Sequence, residues 1–128
     1  MRVLLVSAEL RPLARVGELA EAVAGLAGAL RAAGHDVRVA LPAWRHALDR
    51  LPPGTRATWQ VQVQVRHRGV WGAATVAMFE SDGLPAPVVV VEHPVFDTGD
   101  PYGADVEASA VRGSVLARAL NDALGRDG

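Results

Sequence analysis

Two unbroken apolar runs of β-prone residues, Val3-Leu4-Leu5-Val6 and Val88-Val89-Val90-Val91, constrain this chain more than any other feature of it. A strand with one wetted face alternates apolar and polar residues. A run that is apolar at every position therefore predicts a strand covered on both sides, as in a parallel sheet between helical layers. The residues after the first run agree with such a sheet. From Gly17 to Ala33 the apolar residues Leu19, Ala22, Val23, Leu26, Ala27, Leu30 and Ala33 recur at three- and four-residue steps and make one buried helical stripe. Glu18 and Glu21 stand in the first turns, where they complement the helix dipole, and Arg31 stands near the end. Gly34 is placed to take the left-handed conformation that ends a helix, and Val37 to Leu41 reads as a second strand closed by Pro42. Strand, helix, strand is a βαβ unit whose crossover is expected to be right-handed.

A short helix is expected from Ala43 to Leu51, stopped by Pro52-Pro53-Gly54. Trp59, Val61, Val63 and Val65 then alternate with Thr58, Gln60, Gln62, Gln64 and Arg66, the signature of a half-buried strand. Arg68-Gly69 can turn the chain, so Val70 to Phe79 is expected to return as the partner of an antiparallel hairpin inserted between βαβ elements. After Val88 to Val91 comes a loop rich in Pro, Gly and Asp from His93 to Gly103. A last helix is expected from Asp105 to Leu124, with Asp105 as N-cap and Arg118 four residues before Asp122. The expected architecture is one α/β domain over residues 1–125, a mostly parallel sheet with an inserted antiparallel hairpin, and a disordered tail at 126–128.

Composition excludes several classes of function. A net charge of −1 leaves no unbalanced basic surface for nucleic acid, and the absence of cysteine removes disulfides and thiolate metal sites. The opening apolar run is too short for a signal core or a membrane span, so a cytoplasmic protein without membrane contact is expected. All 13 basic residues are arginine, and neither lysine nor isoleucine occurs, which reads as a bias of coding composition. His35, His46, His67 and His93 show no i, i+4 pairing, so no metal is expected. Neither a dinucleotide fingerprint nor a P-loop occurs, and Ser7 has no nucleophile-elbow context; no cofactor and no catalytic residue is expected.

In open α/β sheets ligands bind beyond the carboxyl ends of the strands, which directs attention to the loops after Val6, Leu41 and Val91. The first offers Ser7, Glu9, Arg15 and Gly17 ahead of a helix start, a combination able to hold an anion through backbone amides, the helix dipole and a guanidinium. By spacing alone, an ordinary strand-to-helix connection with one glycine for the turn is the favoured reading. Trp44, Trp59 and Trp71 could stack on sugar rings, though Trp59 and Trp71 read better as core, and Asp97, Asp100 and Asp105 read as turn residues.

The segments Val3-Leu4-Leu5-Val6-Ser7-Ala8-Glu9, Pro12-Leu13-Ala14-Arg15-Val16-Gly17-Glu18-Leu19-Ala20-Glu21, and Gly34-His35-Asp36-Val37-Arg38-Val39 with Leu41-Pro42 lie in one register. Together with Glu92-His93-Pro94, Phe96-Asp97 and Tyr102-Gly103, they resemble the start of bacterial glycogen synthases and plant starch synthases. The resemblance implies the N-terminal half of a GT-B glycosyltransferase, a three-layer Rossmann-like domain, and a relation to glucosyl transfer from ADP-glucose to an α-1,4-glucan. It further implies that Arg15 holds the place of a lysine associated with the sugar-nucleotide phosphates. Gly17 holds the first of two paired glycines, and Glu18 replaces the second. Ser7, Glu9, His93 and Tyr102 are the further loop candidates.

The departures matter. Glu21 stands for an aspartate, Ala108-Ser109 for an Asp-Asn pair, and Arg112 keeps that helix's arginine. No stretch of the 128 residues matches the family's Asp-x-His-containing segment or its C-terminal domain. The chain is therefore expected to be inactive alone, with weak binding of glucan or nucleotide sugar. The other expectation is a non-catalytic interaction module on the same fold. As partners, this leaves α-glucan or ADP-glucose, a second copy of the chain, or a polypeptide supplying a C-terminal domain.

Overall fold

A computed structural model describes residues 1–67, 70–99, 101–102 and 105–127, without the side chains of 67, 70, 71, 126 and 127. In chain order the elements are β1 (Arg2–Val6), α1 (Leu19–Ala32), β2 (Asp36–Pro42), β3 (Arg56–His67), β4 (Val70–Glu80), β5 (Val88–Glu92) and α2 (Val106–Asp127). Short 3-10 turns occupy Leu48–Arg50 and Pro94–Phe96.

The five strands form one sheet in the order β1-β2-β5-β4-β3. β1 pairs parallel to β2 and β2 parallel to β5, while β4 runs antiparallel to β5 and β3 antiparallel to β4. The sheet is thus mixed, and the β3–β4 hairpin extends it instead of lying apart. The turn expected at Arg68-Gly69 lies outside the described residues.

Register assigns the side chains to two faces. Val3, Leu5, Val37, Val39, Leu41, Val88, Val90, Ala77 and Phe79 share one face, and α1 packs there against β2. Ala40, Val89, Val91, Val76, Met78, Val61, Val63 and Val65 share the other, under α2, which crosses β3, β4 and β5. This explains the alternation in β3: Val63 and Val65 are buried beneath α2, while Gln62 and Gln64 face solvent on the side α1 does not reach.

The same arrangement corrects the expectation for the first strand. Val88 to Val91 are all buried, as expected, but β1 is an edge strand on which exposed and half-buried residues alternate. Leu4 and Val6 are 41% and 55% exposed because, among the described residues, no element lies over their face.

The helix ends follow local chemistry. Gly34 has φ +93°; its N–H donates to the Arg31 carbonyl at 2.9 Å and the His35 N–H to the Leu30 carbonyl at 3.1 Å, which closes α1 with a Schellman motif. Gly34→Ala is expected to lower stability by about 1 kcal/mol, since alanine is strained at that φ, and a urea melt measures it. Asp105 caps α2, its Oδ1 accepting the Ala108 N–H at 2.8 Å. α2 runs on through Asp127, so Arg126 and Asp127 are helical where a disordered tail was expected; Gly128 lies outside the described residues. The helix expected from Ala43 to Leu51 shrinks to the single turn Leu48–Arg50, because His46 takes φ +68°, which a right-handed helix cannot include.

Candidate functional site

The loops after β1, β2 and β5 meet at the carboxyl ends of the parallel strands, and their centre is a carboxylate. Glu9 is only 2% exposed. Its Oε1 accepts the backbone N–H of Val16 at 2.6 Å and of Gly17 at 2.8 Å, and the Tyr102 hydroxyl donates to Oε2 at 2.5 Å. The Glu9 N–H donates to Ser7 Oγ at 3.2 Å, and Leu10 and Ala14 exchange both backbone hydrogen bonds. One buried anion thereby fixes the first loop and ties it to the loop between β5 and α2.

The electrostatics agree with the geometry. Burial pushes the Glu9 carboxyl up, but the Tyr102 hydroxyl and the Gly17 and Val16 amides outweigh it and hold the group below its ordinary value. Tyr102 is pushed up to about 12 by its hydrogen bond to Glu9, by burial and by the carboxylate charge. At neutral pH an ionised Glu9 therefore faces a neutral phenol.

The clasp shapes the start of the helix after it. With Val16 and Gly17 held, Glu18 becomes the N-cap residue of α1 at φ −74°, ψ −18°, and its side chain makes no capping hydrogen bond. The first turn of α1 thus opens outward without a side-chain cap, a place where backbone N–H groups favour an anion. Nothing lies within 4 Å of a Cβ built on Gly17, so the space in front of the turn is open. Arg15 is 65% exposed in its side chain and stands beside this turn, its Nε 3.4 Å from Glu21 Oε1; Arg11 Nε lies 3.4 Å from Oε2 of the same carboxylate. Glu18 and Glu21 therefore place two acidic groups where an anionic ligand would approach.

Of the seven sequence-derived candidates, six gather here: Ser7, Glu9 and Tyr102 build the clasp, and Arg15, Gly17 and Glu18 form the turn it presents. His93 does not join them. Its Nδ1 accepts the Val95 N–H at 3.1 Å, capping the turn Pro94–Phe96, and burial lowers its pKa, which suits a neutral acceptor ring. Gly103 and Asp100 lie outside the described residues, as does the side chain of Trp71.

A second, polar cleft of about 430 Å³ opens at the ends of β2 and β5 beside Arg45, His46, Asp49, Glu92 and Asp97. Arg45 Nε donates to Asp97 Oδ1 at 2.9 Å and Arg45 Nη2 to the Asp97 carbonyl at 2.8 Å, while His46 Nδ1 lies 3.3 Å from Asp49 Oδ2. Sequence reasoning passed over Arg45, and Asp97 read as a turn residue, because the two are 52 positions apart and no spacing signal links them. Trp44 offers no free face for a sugar. It is buried, donates from Nε1 to the Ala8 carbonyl at 2.8 Å, meets Phe96 edge-on at 5.5 Å, and carries the Arg112 guanidinium 5.6 Å from its ring centre. Among the described residues no cluster of His, Asp or Glu could hold a metal ion, and no helix is long and apolar enough to cross a membrane.

Comparisons with known proteins identify the family of the chain. A family model described as the starch synthase catalytic domain matches residues 2–128. Glycogen synthase 1 of a Synechocystis strain is 31% identical over 108 residues, covering 84% of this chain and 21% of its own length. The glycogen synthase of Gloeobacter violaceus is 32% identical over 128 residues, covering 100% of this chain and 26% of its own. Among solved structures, the catalytic domain of starch synthase IV from Arabidopsis thaliana, bound to ADP and acarbose, superposes with a TM-score of 0.77 at 30% identity. That likeness covers 99% of this chain and 26% of the Arabidopsis chain. The chain spans about a fifth to a quarter of the length of these synthases.

Proposed function

We propose, from the premise that this chain belongs to the starch synthase catalytic domain family, that it is one half of a synthase-type site: a domain that presents the first turn of α1 to the phosphates of a nucleotide sugar and does not transfer glucose alone. The observation that carries this reading is the Glu9 clasp, which holds Val16 and Gly17 so that the next turn opens, uncapped, beside Arg15. The Arabidopsis relative was solved with ADP and acarbose, which supports a nucleoside diphosphate and an α-glucan as the ligand chemistry. Transfer needs groups that face the developing oxocarbenium and the leaving diphosphate from opposite sides, held in place beforehand. The carboxyl ends of β1, β2 and β5 form one wall of such a site.

Affinity is expected to be weak. Arg15 shares the Glu21 carboxylate with Arg11, and Glu18 sets a second negative charge at the mouth of the turn. Removing that charge with Glu18→Gly is expected to tighten ADP binding about fivefold, the worth of one like-charge contact in water near 4 Å. Arg15→Ala is expected to weaken it. The experiment pairs a radiolabel assay for glucosyl transfer from ADP-glucose to glycogen with calorimetric titration of ADP. No turnover, millimolar saturation and tighter binding by Glu18→Gly are expected. Turnover by the purified chain would overturn the inactive half-site, and absence of saturation with both proteins would overturn ligand binding.

A further inference from the structure

We infer that Arg11 and Arg15 form a two-armed clamp for a phosphate dianion, and that the Glu21 carboxylate is its built-in competitor, closing the clamp until a ligand displaces it. The inference rests on the reading of the α1 turn as a phosphate site. It adds to that reading a second guanidinium, the kind of anion selected and the contact that regulates access.

Three observations carry it. The first is convergence. The two oxygens of a single carboxylate are divided between two guanidinium groups, Arg11 Nε lying 3.4 Å from Glu21 Oε2 and Arg15 Nε 3.4 Å from Oε1. Guanidinium recognises carboxylate and phosphate oxygens by the same planar geometry, so Glu21 occupies the place that two oxygens of a phosphate would take. No sequence motif marks Arg11. The fold brings it in: Leu10 and Ala14 exchange both backbone hydrogen bonds, at 3.0 and 2.9 Å, in a tight loop that leaves Arg11 and Arg15 near enough to share one carboxylate.

The second is charge. Two guanidinium groups against one carboxylate leave one positive charge in the fork without a counter-charge. A doubly charged phosphate in the same place would neutralise both arms, and a monoanion would only repeat what Glu21 already does. The clamp therefore selects a dianion over a simple carboxylate.

The third is looseness. The side chains of Arg11, Arg15 and Glu21 are 54%, 65% and 43% exposed, and both contacts are longer than a charge-assisted hydrogen bond of about 2.8 Å. Exposed ion pairs of this kind are weak, so an external anion can compete with them. Among the described residues Glu21 makes no side-chain hydrogen bond that would have to break when it swings aside. Glu9 is the contrast, a buried carboxylate fixed by three donors. One glutamate holds the loop and the other can leave it.

The test titrates the purified chain with inorganic phosphate at about pH 8, where the dianion predominates, and separately with acetate, following the Nε–H signals of Arg11 and Arg15 by NMR. Both signals are expected to shift together with phosphate, and far less with acetate. Glu21→Gln is expected to tighten phosphate about fivefold, the effect of removing one competing charge near 4 Å in water. Its urea midpoint should stay close to native, since the substituted side chain is exposed. Adding Arg11→Ala to Glu21→Gln should return the affinity to the native level or below it. A merely structural ion pair predicts the opposite sign, because loss of Glu21 would release the arginines and weaken binding. Unchanged or weaker phosphate binding by Glu21→Gln, tightening that survives Arg11→Ala, or an equal response to acetate would overturn the inference. The two readings fail separately. ADP bound at the first turn of α1 with an affinity indifferent to Arg11→Ala and Glu21→Gln would remove the clamp and leave the half-site. Phosphate held by both arginines with no added affinity for ADP would remove the nucleotide-sugar reading and leave the clamp standing.

Discussion

Replacing Glu9 with alanine is expected to lower the unfolding free energy by about 3 kcal/mol, the scale of losing a buried, hydrogen-bonded charge whose partners are left without an acceptor. Three donors lose their acceptor at once: the Val16 and Gly17 amides and the Tyr102 hydroxyl. Val16 and Gly17 are exposed enough for water to take over part of the task, which keeps the cost from being larger. Glu9→Gln keeps the shape but loses the charge and is expected to fall between the two. The pH dependence separates them. The Glu9 carboxyl is held below its ordinary 4.5 in the folded chain. Its contribution is therefore fully present above pH 4.5 and is lost as pH falls through the lower folded value. Tyr102 has the opposite sign: its folded value is raised from 10.0 to about 12, so its contribution is present below pH 10 and is lost as pH rises through 12. Urea melts across this range should show a stability plateau with an acid shoulder in the native chain, and that shoulder should flatten in Glu9→Gln. An alanine variant as stable as the native chain would mean that the clasp does not hold the loops.

Phe96→Ala is expected to cost about 4 kcal/mol, the usual loss on emptying a buried aromatic site that cannot collapse. Phe96 is 0% exposed and sits in the turn Pro94–Phe96, where its ring packs edge-on against Trp44 and near His93 at 6.4 Å. This contact joins the loop after β5 to the loop after β2, so the loss should be seen beyond stability. Trp44 emission should shift to the red as its pocket opens, and the urea midpoint should fall together with it. A stability change below about 1 kcal/mol would place Phe96 outside the cooperative core.

Local rules explain what could be read in advance. The apolar-polar alternation from Trp59 to Arg66 and the capping aspartate at 105 depend on residues within a few positions of one another, and both stand in the fold; the helix before Gly34 forms as well, but it buries Ala20, Ala24 and Ala27 where the stripe through Leu19, Ala22, Leu26 and Ala33 was expected, and Leu19 and Leu26 are exposed. The continuous run Val88 to Val91 identified a strand buried on both faces correctly. The identical argument failed for Leu4 and Val6, since an apolar run cannot tell an edge strand from a central one, and among the described residues no element lies over that face of β1. Glu9 was legible as a loop candidate from its place between the first strand and the first helix. Its use was not, because its donors stand 7, 8 and 93 positions away and only the folded loops bring them together. Arg45 was missed for the same reason. The end of the expected helix at Ala43 to Leu51 turned on the backbone of His46, which no periodicity reveals.

Amide NMR spectra of the purified chain, recorded as ADP is added, test most directly whether the Glu9 clasp presents the first turn of α1 to phosphate. Saturable shifts at Leu19 and Ala20 and at the Arg15 side chain are expected in the millimolar range, saturating earlier in Glu18→Gly, with the Val16 and Gly17 amides still bound to Glu9. Shifts absent from that turn in both proteins, or centred instead on the Arg45–Asp97 cleft, would contradict it.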